Sequence, residues 1–280
     1  MLQNMFDNKK SISFEIFPPK KDGAFDTVFE TLDALGKLNP DFISVTYGAG
    51  GSRSGETIQI ASYIQNKLGI DAMAHVTCVG SRKDQLLKVC EALKENHIEH
   101  ILALRGDRPR DMSDEQFLSR DFAHASDMMS FIREHTDLHM AGACYPEKHF
   151  EAFSMESDLN NLRRKQEAGA EFFISQLFFD NDFYYSFLEK AAKKGITVPI
   201  CAGIMPITSA KQIGTTITLA GSSVPKALAD ILATYGDNPE EMRKAGTYDE
   251  NTTRSYLAQL MEITPTSANV MEYVAIVHDK

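Results

Sequence analysis

Residues 11–20 read SISFEIFPPK, a short apolar run with a carboxylate at its centre. Side chains in a strand alternate between its two faces, so Phe14 and Ile16 point one way while Glu15 points the other. The two prolines that follow end the strand. Because an unpaired buried carboxylate is costly, Glu15 is expected either to meet a Lys or Arg inside the fold or to do chemistry.

Further apolar, β-rich runs recur along the chain. The predicted strands are 11–17, 42–46, 72–77, 98–104, 139–144, 171–177, 198–203 and 273–277. Stretches of helical period lie between them, at 24–38, 55–68, 83–96, 114–134, 159–168, 181–194, 210–219 and 226–235. Eight such strand–helix units predict an α/β fold of the (β/α)8 TIM barrel type. The polar stretch 236–272 predicts extra helices before the last strand.

Composition bounds the class of protein. The chain has 280 residues, 43% hydrophobic and 24% charged, with a formal net charge of -10. No linker or internal repeat divides it, which predicts one domain over residues 1–280. Acidity without basic patches argues against nucleic acid as a partner. The chain shows neither a membrane span nor a signal peptide, and its four cysteines lack metal-ligand spacing. We therefore expect a cytoplasmic protein without a metal.

Polar residues collect where the predicted strands stop. In a (β/α)8 barrel the active site lies at the carboxyl ends of the strands. Those ends carry Glu15, Thr46, His75, Arg105 to Asp107, Tyr145 and Gln176. Each residue alone is a weak signal, but their coincidence on one face predicts a functional site there.

Seven motifs along the chain then resemble one family. They are SFEIFPPK, FISVTYGAGGS, HVTC, LALRGD, CYPEKH, NLRRKQEAGAEFFISQLFFD and GIMPI. Together they resemble methylenetetrahydrofolate reductase of the bacterial single-domain type, in order from about residue 11 to residue 212. The resemblance implies a barrel that binds FAD noncovalently. It also implies ping-pong transfer, in which NADH reduces the flavin and 5,10-methylenetetrahydrofolate reoxidises it to give 5-methyltetrahydrofolate for one-carbon metabolism and methionine supply.

The resemblance also assigns roles to residues. Glu15 matches the catalytic acid that promotes opening of the folate's five-membered ring, and Asp107 matches an aspartate near flavin and pterin. Gln176 and Gln212 match glutamines that bind the substrate, beside Glu15. The implied FAD-binding positions are Thr46, His75, Arg105, Asp107, Tyr145, His149, Asp158, Asn161, Arg164 and Lys165.

Simpler interpretations of the same residues remain open. Glu15 could be a structural carboxylate paired with a lysine, Asp107 a helix N-cap or turn aspartate, and NLRRKQEAG a solvated helix face. The chain also departs from the family. Thr216 falls where the family has a stacking phenylalanine, and EYVAIVHDK lacks the aromatic or His, Tyr and Thr signature of the last strand.

Other functions fit the same architecture. One is a proline dehydrogenase-like flavin oxidoreductase, another a flavin-free pterin-binding methyltransferase, and a third a non-catalytic assembly subunit on the same scaffold. NADH is expected over NADPH because a 2′-phosphate would need a dedicated arginine that the sequence does not indicate. We expect the chain to form a homo-oligomer.

Overall fold

The computed structural model describes residues 6, 11–19, 25–47, 54–109, 112–205, 213, 221–236, 238, 240–241 and the backbone of 270–271. The strands are β1 Ser13–Ile16, β2 Phe42–Val45, β3 Asp71–Thr77, β4 His100–Leu104, β5 His139–Cys144, β6 Ala170–Ser175, β7 Ile200–Cys201 and β8 Val270–Met271. The helices are α1 Phe25–Gly36, α2 Ser54–Ser62, α3 Lys83–Glu95, α4 Asp114–Leu118, α5 Ala125–His135, α6 Met155–Glu167, α7 Asn181–Lys193 and α8 Lys226–Tyr235.

The strands form one sheet in the order β7-β6-β5-β4-β3-β2-β1-β8. From β1 to β7 each strand runs parallel to the next, as repeated strand–helix units require. The fold is therefore α/β and barrel-like. The eighth strand differs from the predicted one, because Val270–Met271 pairs antiparallel with β1. The predicted strand 273–277 lies outside the described residues.

The two faces of the sheet are buried in different ways. Phe14, Ile16 and Val45 belong to a large apolar cluster that includes residues of the surrounding helices. The opposite face is filled by a smaller cluster made of strand residues and their neighbours, which includes Phe42, Met73, Leu102, Phe172 and Ile174. We call this second face the inner face.

Two predicted helices differ in detail from those observed. The predicted helix 114–134 is two helices, α4 and α5, because Arg120 donates to the carbonyls of Phe117 and Ala123 and so satisfies backbone groups at the break. Helix α2 continues as a π-helical segment, Tyr63–Leu68, which ends at Gly69 in the left-handed conformation (φ 67°). The predicted helix 210–219 falls outside the described residues, except Ile213. No described helix combines the length and apolar character of a membrane span.

Candidate active site

Glu15 lies on the inner face near the carboxyl end of β1. It is 3% exposed, while Phe14 and Ile16 pack on the other side among the helices. Its lateral neighbour on β2 is Ser44, and Ser44 in turn is in register with Met73 of β3. Alternation along the SFEI strand therefore directs this carboxylate into the interior, as the sequence predicts.

The carboxylate meets a histidine rather than a lysine or arginine. His75 Nε2 lies 3.1 Å from Glu15 Oε2, and the two side chains are 7% and 4% exposed. This distance is that of an ion pair, but the two groups do not form a hydrogen bond. His75 Nε2 is buried and has no hydrogen-bond partner in the described part of the chain. Thr77 Oγ1, two residues further along β3, is likewise buried without a hydrogen-bond partner among the described residues. Buried polar atoms are nearly always satisfied, so both atoms indicate a place for a polar ligand.

A separate cavity of about 190 Å³ opens beside the ends of β4 and β5 and the first turns of α6. Leu104 lines this cavity and is in register with Thr77, so the cavity borders β4, the strand next to the one that carries His75. The cavity brings together seven of the residues implied by the resemblance. These are Arg105, Tyr145, His149, Asp158, Asn161, Arg164 and Lys165.

The start of α6 explains why four of these residues share one wall. Ser154 caps the helix by accepting from the backbone N–H of Ser157. From there Asn161 follows Asp158 by three residues, and Arg164 and Lys165 follow Asn161 by three and four, which places all four on one face of a helix. The NLRRK stretch is therefore not simply a solvated helix surface, because this face forms part of the cavity wall.

Hydrogen bonds hold the acceptors and cations of this wall in place. Asp158 Oδ2 accepts from the backbone N–H of His149 at 2.9 Å. Arg164 Nη1 donates to Asn161 Oδ1 at 3.2 Å. Lys165 Nζ donates to the carbonyl of Ala143 at 2.7 Å, which draws this side chain off the surface and into the cavity wall.

Arg105 faces these residues from the end of β4. Both of its terminal nitrogens donate to Glu151, Nη2 to Oε1 at 2.9 Å, and Nε donates to the carbonyl of Gly106 at 3.2 Å. The Glu151 carboxylate raises the pKa of Arg105, and Arg105 lowers the pKa of Glu151. Both groups are therefore charged at neutral pH.

Burial shifts three further groups in the cavity. It lowers the pKa of the Lys165 ammonium and raises the pKa of the Tyr145 hydroxyl, which the Asp158 carboxylate raises further. Burial, and then the nearby Arg105 charge, lowers the pKa of His149. His149 is consequently neutral at pH 7, and its Nδ1 accepts from the backbone N–H of Glu151 at 3.1 Å.

The remaining implied residues lie nearer the strand ends. The carbonyl of Thr46 accepts from the Thr57 hydroxyl at 3.0 Å. Gln176 donates its backbone N–H to Cys144 at 2.7 Å and accepts from the N–H of Leu177 at 2.9 Å through its side-chain oxygen. Asp107 is exposed, just past β4. Gln212 and Thr216 lie outside the described residues.

Gly106 brings the ends of β3 and β4 together. It has a φ of +80°, and a Cβ at this position would lie 2.8 Å from Val79 Cγ1 and 2.9 Å from Thr77 Cβ. Both the backbone conformation and the close approach require glycine. The RGD sequence therefore follows β4 with a glycine-dependent backbone conformation between the cation Arg105 and the exposed Asp107.

Sequence reasoning missed two residues of the site. Thr77 belongs to the HVTC motif, but no role is predicted for it, and no role is predicted for Glu151. Glu151 stands 46 residues from Arg105, so no local spacing connects them. A carboxylate between the apolar residues Phe150 and Ala152, close after CYPEKH, was the available signal.

Comparisons with known proteins agree on one family. A family model described as methylenetetrahydrofolate reductase matches residues 1–263. The 5,10-methylenetetrahydrofolate reductase of Pectobacterium carotovorum is 34% identical over 236 residues, which are 84% of this chain and 77% of that protein. The methylenetetrahydrofolate reductase (NADH) 1 of Zea mays is 33% identical over 261 residues, covering 89% of this chain and 44% of that protein.

A solved structure supports the fold. The chain resembles a Clostridium thermocellum protein that binds two copies of 5-methyl-5,6,7,8-tetrahydrofolic acid, with a TM-score of 0.61. The two share 18% sequence identity, and the match covers 94% of this chain and 87% of that one. At this identity the likeness establishes a common architecture.

Proposed function

The chain belongs to the methylenetetrahydrofolate reductase family, and on this premise we propose that it reduces 5,10-methylenetetrahydrofolate to 5-methyltetrahydrofolate with electrons from NADH and a noncovalently bound FAD. The observation that carries the proposal is the buried Glu15–His75 pair, 3.1 Å apart, beside a cavity rich in cations. An acid inside a barrel mouth and a site for phosphates next to it are the two parts that this chemistry needs.

The residues present fit FAD. His75 Nε2 and Thr77 Oγ1 are buried polar atoms without a hydrogen-bond partner in the described residues, and a flavin's polar edge could satisfy such atoms. Arg105, Arg164 and Lys165 offer positive charge and N–H donors for a pyrophosphate. The cavity of about 190 Å³ is smaller than the roughly 300–1,000 Å³ usual for a whole ligand of drug size, so it suits part of the cofactor.

FAD, when bound, would supply the ability to accept a hydride from NADH and release it to the folate. The chain's own contribution is to bind, orient and protonate. In our proposal Tyr145, His149, Asp158 and Asn161 offer polar groups to the cofactor's sugars and base. Thr46 and His75 would contact the cofactor from the carboxyl ends of β2 and β3.

Glu15 would act as the general acid. Its burial next to His75 separates it from bulk water, and a positioned acid of this kind contributes about 10²- to 10⁴-fold to a rate. In our proposal it delivers a proton, directly or through water, as the folate's five-membered ring opens and the N5 iminium forms. Asp107 would lie near the pterin and the flavin, and the primary amides of Gln176 and Gln212 would bind the pterin's mixed edge of donors and acceptors.

The proposal extends to kinetics and organisation. One flavin would serve nicotinamide and folate in turn, which gives ping-pong kinetics with parallel lines in two-substrate plots. We also propose that residues 1–280 form a single domain, that the sheet closes into a barrel of the (β/α)8 type with an antiparallel eighth strand, and that the protein works as a cytoplasmic homo-oligomer. The preference for NADH over NADPH belongs to the same proposal.

A flavin titration tests this function. The purified chain should take up FAD and turn yellow, anaerobic NADH should bleach the band near the visible flavin maximum, and 5,10-methylenetetrahydrofolate should restore it. L-proline serves as the control substrate, because bleaching by proline would indicate a proline dehydrogenase-like enzyme. A protein that binds FAD but responds to neither NADH nor folate would show that the proposed reaction is wrong.

A further inference from the structure

Among the described residues that line the cavity, Glu151 is the one carboxylate whose oxygens accept hydrogen bonds from a cationic side chain of the same lining. It lies on the loop between β5 and α6, and Arg105 lies at the end of β4. The two side chains are 48% and 22% exposed, so Arg105 is the more deeply placed partner. Nothing in the sequence resemblance gives Glu151 a role.

We propose that Glu151 is a positioning residue that holds the Arg105 guanidinium in the orientation required to bind a phosphate of the cofactor. The inference rests on the proposed FAD site. Glu151 is not expected to contact the cofactor. It affects cofactor binding only through Arg105.

The donor count of Arg105 supports this role. A guanidinium has five N–H groups in a rigid fork. Two of them go to Glu151 and one to the carbonyl of Gly106. Two N–H groups therefore remain for a ligand, while contacts on two sides fix the plane of the group.

Conformational entropy explains why such fixing matters. A free arginine side chain samples many rotamers, and a freely moving Arg105 would lose this conformational entropy when it bound a phosphate. A bidentate carboxylate restrains the side chain in advance, and the pairing also offsets part of the desolvation of a partly buried cation. Glu151 therefore strengthens phosphate binding by Arg105, even though the Glu151 carboxylate carries the same sign of charge as the phosphate.

The backbone of Glu151 adds a second restraint. Its N–H donates to His149 Nδ1 at 3.1 Å, which leaves the proton of the neutral imidazole on Nε2. The His149 backbone N–H donates to Asp158, and Lys148 Nζ donates to the carbonyls of His149 and Ala152 at 3.1 and 2.8 Å. The loop that carries Glu151 is therefore itself tied down.

A double-mutant cycle on FAD affinity tests the proposal. We would measure the Kd for FAD of the apoprotein by quenching of flavin fluorescence for the parent, Glu151→Gln, Arg105→Gln and the double variant. We expect Glu151→Gln to weaken FAD binding about tenfold, which corresponds to about 1.4 kcal/mol. In the Arg105→Gln background the same change should alter Kd by less than twofold, because Glu151 acts through Arg105.

Glu167→Gln is the matched control. Glu167 also pairs with an arginine, since it accepts from Arg163 Nε at 2.9 Å, but it does not line the cavity, and its loss should leave Kd unchanged. Tighter FAD binding by Glu151→Gln would show that Glu151 competes with the phosphate, and an unchanged Kd or an equal loss in both backgrounds would also overturn the proposal. Failure of the parent to bind FAD would instead refute the proposed function.

Discussion

The two ends of the same sheet each hold a histidine and a carboxylate, but in different states. At the amino end, His139 Nδ1 lies 2.7 Å from Glu171 Oε1 in a hydrogen bond, and the side chains are 31% and 38% exposed. At the carboxyl end, Glu15 and His75 are almost completely buried, and His75 Nε2 makes no hydrogen bond within the described residues. The side chains of the first pair hydrogen-bond to each other and also reach solvent. The second pair is closed off from solvent, and His75 Nε2 has no hydrogen-bond partner among the described residues.

This difference shows what separates a structural pair from a candidate site. Residue type and distance are similar at both ends, so neither identifies function. The buried and unsatisfied atoms at the carboxyl end carry a free-energy cost that a stable fold would avoid unless a ligand satisfied them. The comparison can be tested by making matched changes at the two ends.

The largest effect is expected from Glu15→Gln compared with Glu171→Gln. Hydride transfer from NADH to flavin needs no acid at the folate, so Glu15→Gln should keep flavin reduction within about tenfold of the parent while folate reduction falls by about two to four orders of magnitude. Glu171→Gln, at the amino end, should change neither half-reaction. Anaerobic stopped-flow absorbance of the flavin measures both steps.

The outcome for Glu15 is decisive because glutamine nearly preserves the size of the side chain. Equal damage to both half-reactions in folded, yellow protein would indicate a structural carboxylate. Folate that still oxidises the reduced flavin of this variant at the parental rate would show that another group is the acid.

A smaller effect is expected along α6, where three consecutive cations differ. Arg164 is exposed and lines the cavity, so Arg164→Ala should weaken FAD retention at a cost to stability under about 0.5 kcal/mol. Lys165 also donates to the Ala143 carbonyl at 2.7 Å, so Lys165→Ala should lose both FAD and stability, the latter by about 1.5–3 kcal/mol for a charged hydrogen bond. Flavin content after gel filtration and urea unfolding of the apoprotein measure the two quantities.

Arg163→Ala is the control for this helix, because Arg163 pairs with Glu167 outside the cavity. It should retain FAD and change stability little. If all three variants retain full flavin at submicromolar protein, α6 plays no part in cofactor binding.

The sequence predicts the strands of this fold better than the contacts of its site. Apolar runs such as 42–46 and 139–144 coincide with β2 and β5 because alternation and burial are local properties of a strand. The sequence predicts Lys165 as an FAD-binding residue near a helix end, but it does not predict the backbone partner of its ammonium group. Its hydrogen bond is to a carbonyl 22 residues earlier, and such a contact depends on how β5 and α6 pack together.

The same reasoning explains the other differences. Arg105 and Glu151 are 46 residues apart, and only the convergence of β4 with the loop after β5 brings them together. The break between α4 and α5 depends on side-chain donation by Arg120 to nearby carbonyls, which competes with a helical pattern that is continuous in hydrophobicity. The local hydrophobic period of the sequence predicts which segments form helices and strands. Tertiary contacts decide where those helices and strands end and which side chains meet in the site.

The smallest effect is expected at the amino end, from the titration of His100. Its ring stacks on His139 with centroids 5.2 Å apart. Burial lowers the pKa of His100 from its ordinary value of 6.5, and His139 lowers it further, while Asp71, Glu99 and Glu171 act in the opposite direction. In the window between the folded pKa and 6.5, the unfolded chain binds more protons than the folded one. The free energy of unfolding therefore rises with pH across this window and is constant, for this group, above it.

His100→Gln should remove this contribution. Urea unfolding of the apoprotein at several pH values from 7.5 down to about 5 should show a shallower loss of stability on acidification than in the parent, with the difference confined to pH below 6.5. Since His100 lies at the end of the sheet away from Glu15, its replacement should leave both half-reactions unchanged. An unchanged slope in His100→Gln would mean that burial of this histidine does not govern the acid sensitivity of the amino end, and a change in either half-reaction would mean that the two ends are not independent.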